Sequence, residues 1–287
     1  MPTVPDDLMR RLRSAGQEHV LRWWDRLSDA ERAELIGQIQ ALDLDGLNRL
    51  YAERDRAYVP PPWDAIKPVP VVPMNSPDNP RYRWIGEEAL RRDEVAVLVV
   101  AGGQGTRLGF DQPKGLFPVG PVTDKSLFQI HAEKVLATRR RYGAAVPLLV
   151  MTSQATHEPT EEFFTENGYF GLPKEEVHFF RQGTMPALDL ATGRLLMEAA
   201  GRLFLSPDGH GGTLTALAGS GLLARLREKC VRHIFYFQVD NPLVKVADPT
   251  FLGCHIHKRS EASSRVIPKL GPDDKLGNFV QIDGRCS

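Results

Sequence analysis

The residues with the plainest chemical capacity stand in one run, 101–115, which reads Ala-Gly-Gly-Gln-Gly-Thr-Arg-Leu-Gly-Phe-Asp-Gln-Pro-Lys-Gly. Gly102, Gly103 and Gly105 follow a stretch of Val and Leu directly. Glycines at the carboxyl end of a strand let the backbone pass close to a ligand, and the freed N–H groups gather around an anion. Arg107 adds a planar fork of donors suited to phosphate oxygens, and Lys114 adds a point charge. Together these residues suit several adjacent phosphates. Two residues farther along extend the set. Gln182 carries an amide that both donates and accepts. Asp240 follows another apolar run, where a carboxylate faces the ligand edge of an α/β sheet. Each has a plainer reading: a tight turn without ligand at 102–105, a solvated amide at Gln182, and a simple Asp-Asn-Pro turn at 240–242.

Three phosphate-loop patterns compete for the glycines. A Walker A loop needs G-x4-G-K-S/T, and no Gly-Lys pair follows here. A dinucleotide fingerprint is the closer rival, but it needs a helix at once and an acid after the next strand. Asp111, Pro113 and Gly115 break such a helix, and the next apolar strand ends in Met151-Thr152-Ser153. A nicotinamide enzyme is therefore a distant third reading. Cys254-His255-Ile256-His257 invites a zinc reading, but ligands packed so tightly in sequence seldom converge. No Ser/His/Asp or Cys/His arrangement stands out.

The elements that must position these residues are legible in the apolar pattern. Residues 95–100 form a continuous β-branched run, as in a strand covered on both faces. Further strands are expected at 146–152, 177–180 and 233–239, with helices at 126–142, 160–166 and 214–227. Strand–helix alternation implies a largely parallel sheet with right-handed crossovers. The domain expected from this pattern runs over 94–287. Before it, 59–93 holds a proline-rich extended connector over 59–80 and a short helix over 84–92. Residues 1–58 show apolar spacing of three and four, predicting two or three short helices, with Ser28-Asp29-Ala30-Glu31 as a capping box.

Bulk properties narrow the class. The 287 residues carry 36 Lys+Arg against 36 Asp+Glu, so no global field attracts nucleic acid or an anionic membrane. With 42% hydrophobic residues a sizeable core is available. Three cysteines, none spaced as CxxC, fit a reducing cytoplasm. No stretch reads as a secretory signal or a membrane span. Neither nucleic acid nor membrane is expected as a partner, and the sequence identifies no protein partner.

The full string GGxGTRLGxxxPKG resembles the signature of nucleotide-sugar pyrophosphorylases, and within them the eukaryotic-type UTP-dependent family. The likeness continues through Met151-Thr152-Ser153 with Thr156-His157, through FFRQG at 179–183, SPDGHGG at 206–212 and VDNPLVKVADP at 239–249. The leader GQEHVLRWWDRL is similar to the extension of the UDP-N-acetylglucosamine enzymes in particular. The resemblance implies a Rossmann-like nucleotide-diphospho-sugar transferase fold: α/β, with a mostly parallel mixed sheet behind an N-terminal helical extension. It implies an enzyme joining UTP to a sugar 1-phosphate with release of pyrophosphate, and Mg²⁺ as cofactor. By the same resemblance, Ala101, Gly102 and Gly103 lie along the uridine and its phosphates. Arg107 and Lys114 neutralise the triphosphate and the departing pyrophosphate. Gln182 meets the uracil edge, helped by the Gly209 backbone, and Asp240 holds the metal. Lys245 matches a motif without an assigned role.

The sequence departs from that pattern twice. His210 stands where the N-acetylglucosamine enzymes carry Asn, in a position expected to face the hexose. A histidine there is a feature of the glucose-1-phosphate enzymes. N-acetylglucosamine 1-phosphate stays the first expectation and glucose 1-phosphate the alternative. Family members also continue past the point corresponding to Asp283-Gly284, so the C-terminal part is expected to be missing. The chain then reads as a fragment, a truncated product or half of a split protein, with UTP binding partly retained and turnover weak or absent.

Overall fold

The computed structural model describes residues 3–271 and 273–286. The chain forms two compact units, Met1–Val59 with Gly183–Gly212, and Pro60–Gln182 with Thr213–Ser287.

The first unit has three α-helices, α1 (Asp6–Ser14), α2 (Asp29–Ala41) and α3 (Leu44–Ala52), with two short 3₁₀ turns, Glu18–Leu21 and Trp24–Arg26, between the first two. The capping box expected at the start of α2 forms: the Glu31 N–H donates to Ser28 Oγ, and the Ser28 N–H donates to Glu31 Oε2 at 2.7 Å. Leu8, Leu12, Trp24, Leu35 and Ile39 make a core that also takes in Leu195 and Leu203. These come from the later segment, where Thr184–Pro186 pairs with Leu205–Pro207 and Met197–Ala199 with Arg202–Leu203, both antiparallel. The buried Gln17 amide completes the join, donating to Gly193 O at 3.0 Å and accepting from the Leu195 N–H at 2.9 Å. No local pattern announces this return, because the partners lie 176 and 178 residues apart.

The second unit is built on four parallel strands, β1 (Val95–Val100), β2 (Leu148–Thr152), β3 (Val177–Arg181) and β4 (His233–Gln238), in the order β3-β2-β1-β4. Helices α4 (Asn79–Arg91), α5 (Leu127–Tyr142), α6 (His157–Glu166), α7 (Thr213–Gly219), α8 (Leu222–Glu228) and α9 (Pro249–Lys258) surround it. Successive side chains of a strand point to opposite faces, and β1 buries both. Val95, Val97 and Val99 pack with Phe128, Ala132 and Val135 of α5, while Ala96, Leu98 and Val100 pack with Leu217, Leu222 and Leu226 of α7 and α8. Helices α4 and α9 cross closely at two glycines. A Cβ on Gly86 would lie 1.9 Å from Pro249 O, and one on Gly253 would lie 1.7 Å from Tyr82 O.

Several expected boundaries move. The helix expected over 84–92 starts at Asn79, because Pro80 fits a first turn, where its missing N–H costs nothing. The helix expected over 214–227 is two helices, broken where Gly221 takes φ +77°. The sheet itself is wholly parallel rather than mixed, and the antiparallel pairs stand apart from it. One of them arises in the proline-rich connector, where Ile66–Pro68 pairs with Val280–Ile282 as an edge strand, the place a sheet tolerates proline.

Candidate functional site

The strand order places a topological switch between β1 and β4, since the chain moves outward from β1 through β2 and β3 and then returns to the far side of β1. Ligands of open α/β sheets bind outside the carboxyl ends of strands at such a switch. The segments that leave the sheet there are 101–115 after β1 and 239–244 after β4.

The loop after β1 folds back on itself. Ala101 is buried and its N–H donates to Met151 O at 2.7 Å. Beyond it, the Lys114 N–H donates to Gly103 O at 3.0 Å and the Gly105 N–H to Gln112 O at 2.9 Å. Two 3₁₀ turns, Thr106–Leu108 and Lys114–Leu116, shape the loop, the first closed by Gly109 at φ +67°. The fold-back returns Lys114 to the strand ends. Its Nζ donates to Asp240 Oδ2 at 3.1 Å, across 126 residues of sequence. The Asp240 side chain is 48% exposed and the Lys114 side chain 27%, so the pair contributes at most about 1 kcal/mol to stability. Both groups can therefore exchange partners at little cost. Arg107 is exposed on the same loop and, among the described residues, forms no ion pair.

Gln182 leaves the end of β3, and its N–H donates to Thr152 O at 2.7 Å. Its amide closes on the glycine turn: a Cβ on Gly102 would lie 2.8 Å from Gln182 Oε1. Gly103 is different, for its φ is not positive and no atom lies within 4 Å of a Cβ built there, so the protein's own packing does not demand glycine.

Hydroxyl groups unassigned by the sequence reading brace this edge. Thr152, Ser153, Thr156 and Thr160 are all buried. Thr156 Oγ1 accepts from the Ser153 N–H at 2.9 Å and reaches Ala101 O at 3.5 Å, tying the β2 exit to the β1 exit. The signal was present as three hydroxyl residues at 152, 153 and 156, where an apolar strand ends. Two residues of α5 were also missed. His131, 1% exposed, donates from Nε2 to Val239 O at 2.8 Å. Burial pushes its imidazole down to about 4, against the opposing pull of the Val239 hydrogen bond, so it is neutral at pH 7. Lys134 donates from Nζ to Pro242 O and, at 3.0 Å, to Val244 O, and burial lowers its ammonium pKa as well.

The structure thus gathers Ala101, Gly102, Gly103, Lys114, Gln182 and Asp240 at one sheet edge, with Arg107 on the adjoining loop. Gly209 and His210 belong to the first unit, in the turn Gly209–Gly212 that follows the hairpin strand Leu205–Pro207. Gly209 takes φ +69° and His210 is exposed. Asp208 shapes that turn: its carboxylate fills the space a Cβ would need on Gly183 and on Gly212. Residues 254–257 lie on α9, where His255 Nδ1 is 2.9 Å from Ser263 Oγ and the His257 ring packs against Tyr82.

Comparison with known proteins identifies the family. The family profile of UTP–glucose-1-phosphate uridylyltransferase matches residues 49–287. UDP-N-acetylglucosamine diphosphorylase 2 of Arabidopsis thaliana is 38% identical over 96% of this chain and 58% of its own length. The human UDP-N-acetylhexosamine pyrophosphorylase-like protein 1 is 36% identical over 97% of this chain and 58% of its own. The crystal structure of the Trypanosoma brucei UDP-N-acetylglucosamine pyrophosphorylase superposes with a TM-score of 0.84 at 33% identity, over 100% of this chain and 61% of that one. The chain therefore spans less than two thirds of the length of these relatives. No helix among the described residues is long and apolar enough to cross a membrane. A wholly parallel sheet, a glycine turn folded back on its strand end and a matching profile over most of the sequence lead to one assignment: the chain belongs to the UTP–glucose-1-phosphate uridylyltransferase family.

Proposed function

We propose that this chain carries the UTP-binding site of a uridylyltransferase that forms a UDP-sugar and pyrophosphate from UTP and N-acetylglucosamine 1-phosphate. The observation that carries the reading is the Lys114–Asp240 pair at the switch point, beside a glycine turn closed on the Gln182 amide. The backbone of Ala101, Gly102 and Gly103 follows the uridine and its phosphates. At Gly103 the ligand itself is what excludes a side chain. Gln182 matches the uracil carbonyl and N–H, and the resemblance assigns Gly209 to the same base. Arg107 and Lys114 neutralise the triphosphate.

The reaction needs no covalent intermediate. A phosphate oxygen of the sugar 1-phosphate attacks the α-phosphorus of UTP in line. The new P–O bond forms as the α–β bridging bond breaks, and pyrophosphate departs with the electron pair. Positioning and charge neutralisation supply such catalysis. One half-exposed carboxylate, Asp240, with substrate phosphates completing the shell, fits Mg²⁺, which takes only one or two carboxylates from such a site. When bound, Mg²⁺ would offset negative charge on the phosphate oxygens. The names of the relatives support the N-acetylated sugar, and the resemblance assigns His210 to it. Three free cysteines support a reducing cytoplasm as its compartment.

The test measures UTP affinity by calorimetry and pyrophosphate release with a panel of sugar 1-phosphates, on one preparation. Asp240→Asn is expected to lower UTP affinity in Mg²⁺ by about tenfold or more, with little change in melting temperature. Glucose 1-phosphate turned over as fast as N-acetylglucosamine 1-phosphate would overturn the sugar assignment. Unchanged UTP affinity in Asp240→Asn would overturn the site assignment.

A further inference from the structure

Asp240 stands in a loop that its own backbone holds only in part. After β4 the Asn241 N–H donates to Gln238 O at 3.1 Å and the Val244 N–H to Asn241 O at 3.3 Å, while Pro242 has no N–H to give. The outer side of the loop is open, with Leu243 88% exposed. The carbonyls of Val239, Pro242 and Val244 find their partners below, on α5. His131 takes the first, and Lys134 takes the other two. Positions three apart on a helix share a face. The two side chains thus hold the main chain on both sides of Asp240.

Neither side chain is chosen for packing alone. His131 is buried edge-on to Phe237, ring centroids 4.8 Å apart, and its Nδ1 has no partner. A leucine would fill that space without leaving a ring nitrogen unsatisfied. Lys134 spends its charge on neutral carbonyls, with no carboxylate as partner among the described residues. Both are explained if the loop must hold one shape.

We propose that His131 and Lys134 are positioning residues, a clamp from α5 that sets the Asp240 carboxylate against Lys114. The inference rests on the reading above for what the carboxylate does, but not for where it is held. Its test therefore uses two readouts in the full chain. The first needs no nucleotide: the rate at which acetic anhydride labels Lys114, followed by mass spectrometry. The second is the ratio of UTP affinities with and without Mg²⁺.

His131→Leu and Lys134→Met are expected to raise Lys114 labelling about threefold, as Asp240→Asn does, through loss of the ion pair. They are expected to reduce the Mg²⁺ ratio by about tenfold. His131→Gln, which keeps a donor, is expected to restore most of both. Wild-type labelling in folded His131→Leu and Lys134→Met would overturn the clamp. So would equal loss of UTP affinity with and without Mg²⁺ at unchanged labelling. Raised labelling in the variants, in a protein whose UTP affinity ignores Mg²⁺, would uphold the clamp and overturn the metal assignment instead.

Discussion

Gly102 and Gly115 lie in one loop, and a Cβ at either would collide with a neighbour, but the two neighbours differ in what they can yield. At Gly102 the obstacle is the end of the Gln182 side chain, 2.8 Å away. That amide can swing aside. At Gly115 it is the Phe128 ring, 2.1 Å away and 1% exposed, which has nowhere to go. Gly102→Ala is expected to change stability by less than about 1 kcal/mol while lowering UTP affinity about tenfold. Gly115→Ala is expected to cost about 1–3 kcal/mol in urea unfolding, as overpacking does. Equal stability losses would sink the distinction. At this scale residue type was informative: Lys114, Gln182 and Asp240 were nameable before any fold, and the structure brings them to one sheet edge. His131 and Lys134 were not, because they act on carbonyls, and a helix pattern does not say which backbone a side chain will meet.

At the scale of elements, the parallel strands and most helices follow from apolar period, and the misses have local causes: Pro80 accepted in a first turn, and Gly221 breaking a helix. The return of 183–212 to the N-terminal helices had no local cause to read. It is also where an element-scale prediction belongs. Gln17, buried, serves both Gly193 O and the Leu195 N–H, as a neighbouring strand would. Gln17→Leu leaves both unpaired, and is expected to cost about 2–4 kcal/mol. Hydrogen exchange checks the location of the damage: the amides of 184–207 should lose protection and those of β1 and β2 should keep theirs. Faster exchange across β1 would show that the two units do not respond separately.

For the whole molecule, the histidines and glutamates whose values move are all lowered. His131, faced by Lys134 from its own helix and by Val239 O and Asp240 from the loop beyond β4, is lowered to about 4 chiefly by burial. His178, His233 and His255 are also lowered, burial first. A histidine whose folded value lies below its ordinary 6.5 leaves stability intact above that value. Stability is lost as pH falls toward the folded value, because only the unfolded chain takes the proton; for His131 this loss is on the order of 3 kcal/mol. Glu87, Glu94 and Glu133 are lowered by hydrogen bonds from Arg83, Arg92 and Lys125, so they add stability above their ordinary 4.5 that is lost below it. Urea unfolding is therefore expected to weaken steadily from pH 7 to pH 4, with the first loss reduced in His131→Leu. A flat profile between pH 6.5 and 5 would refute it. The split make-up of the first unit has a further consequence, for synthesis. The N-terminal helices leave the ribosome early, yet Leu195 and Leu203 of their core come far later. At about 5–20 residues per second the delay is roughly 8–33 s. For that interval Leu8, Leu12, Leu35 and Ile39 have an unfinished core, so the nascent chain offers a chaperone an apolar face that closes only when 183–212 emerges.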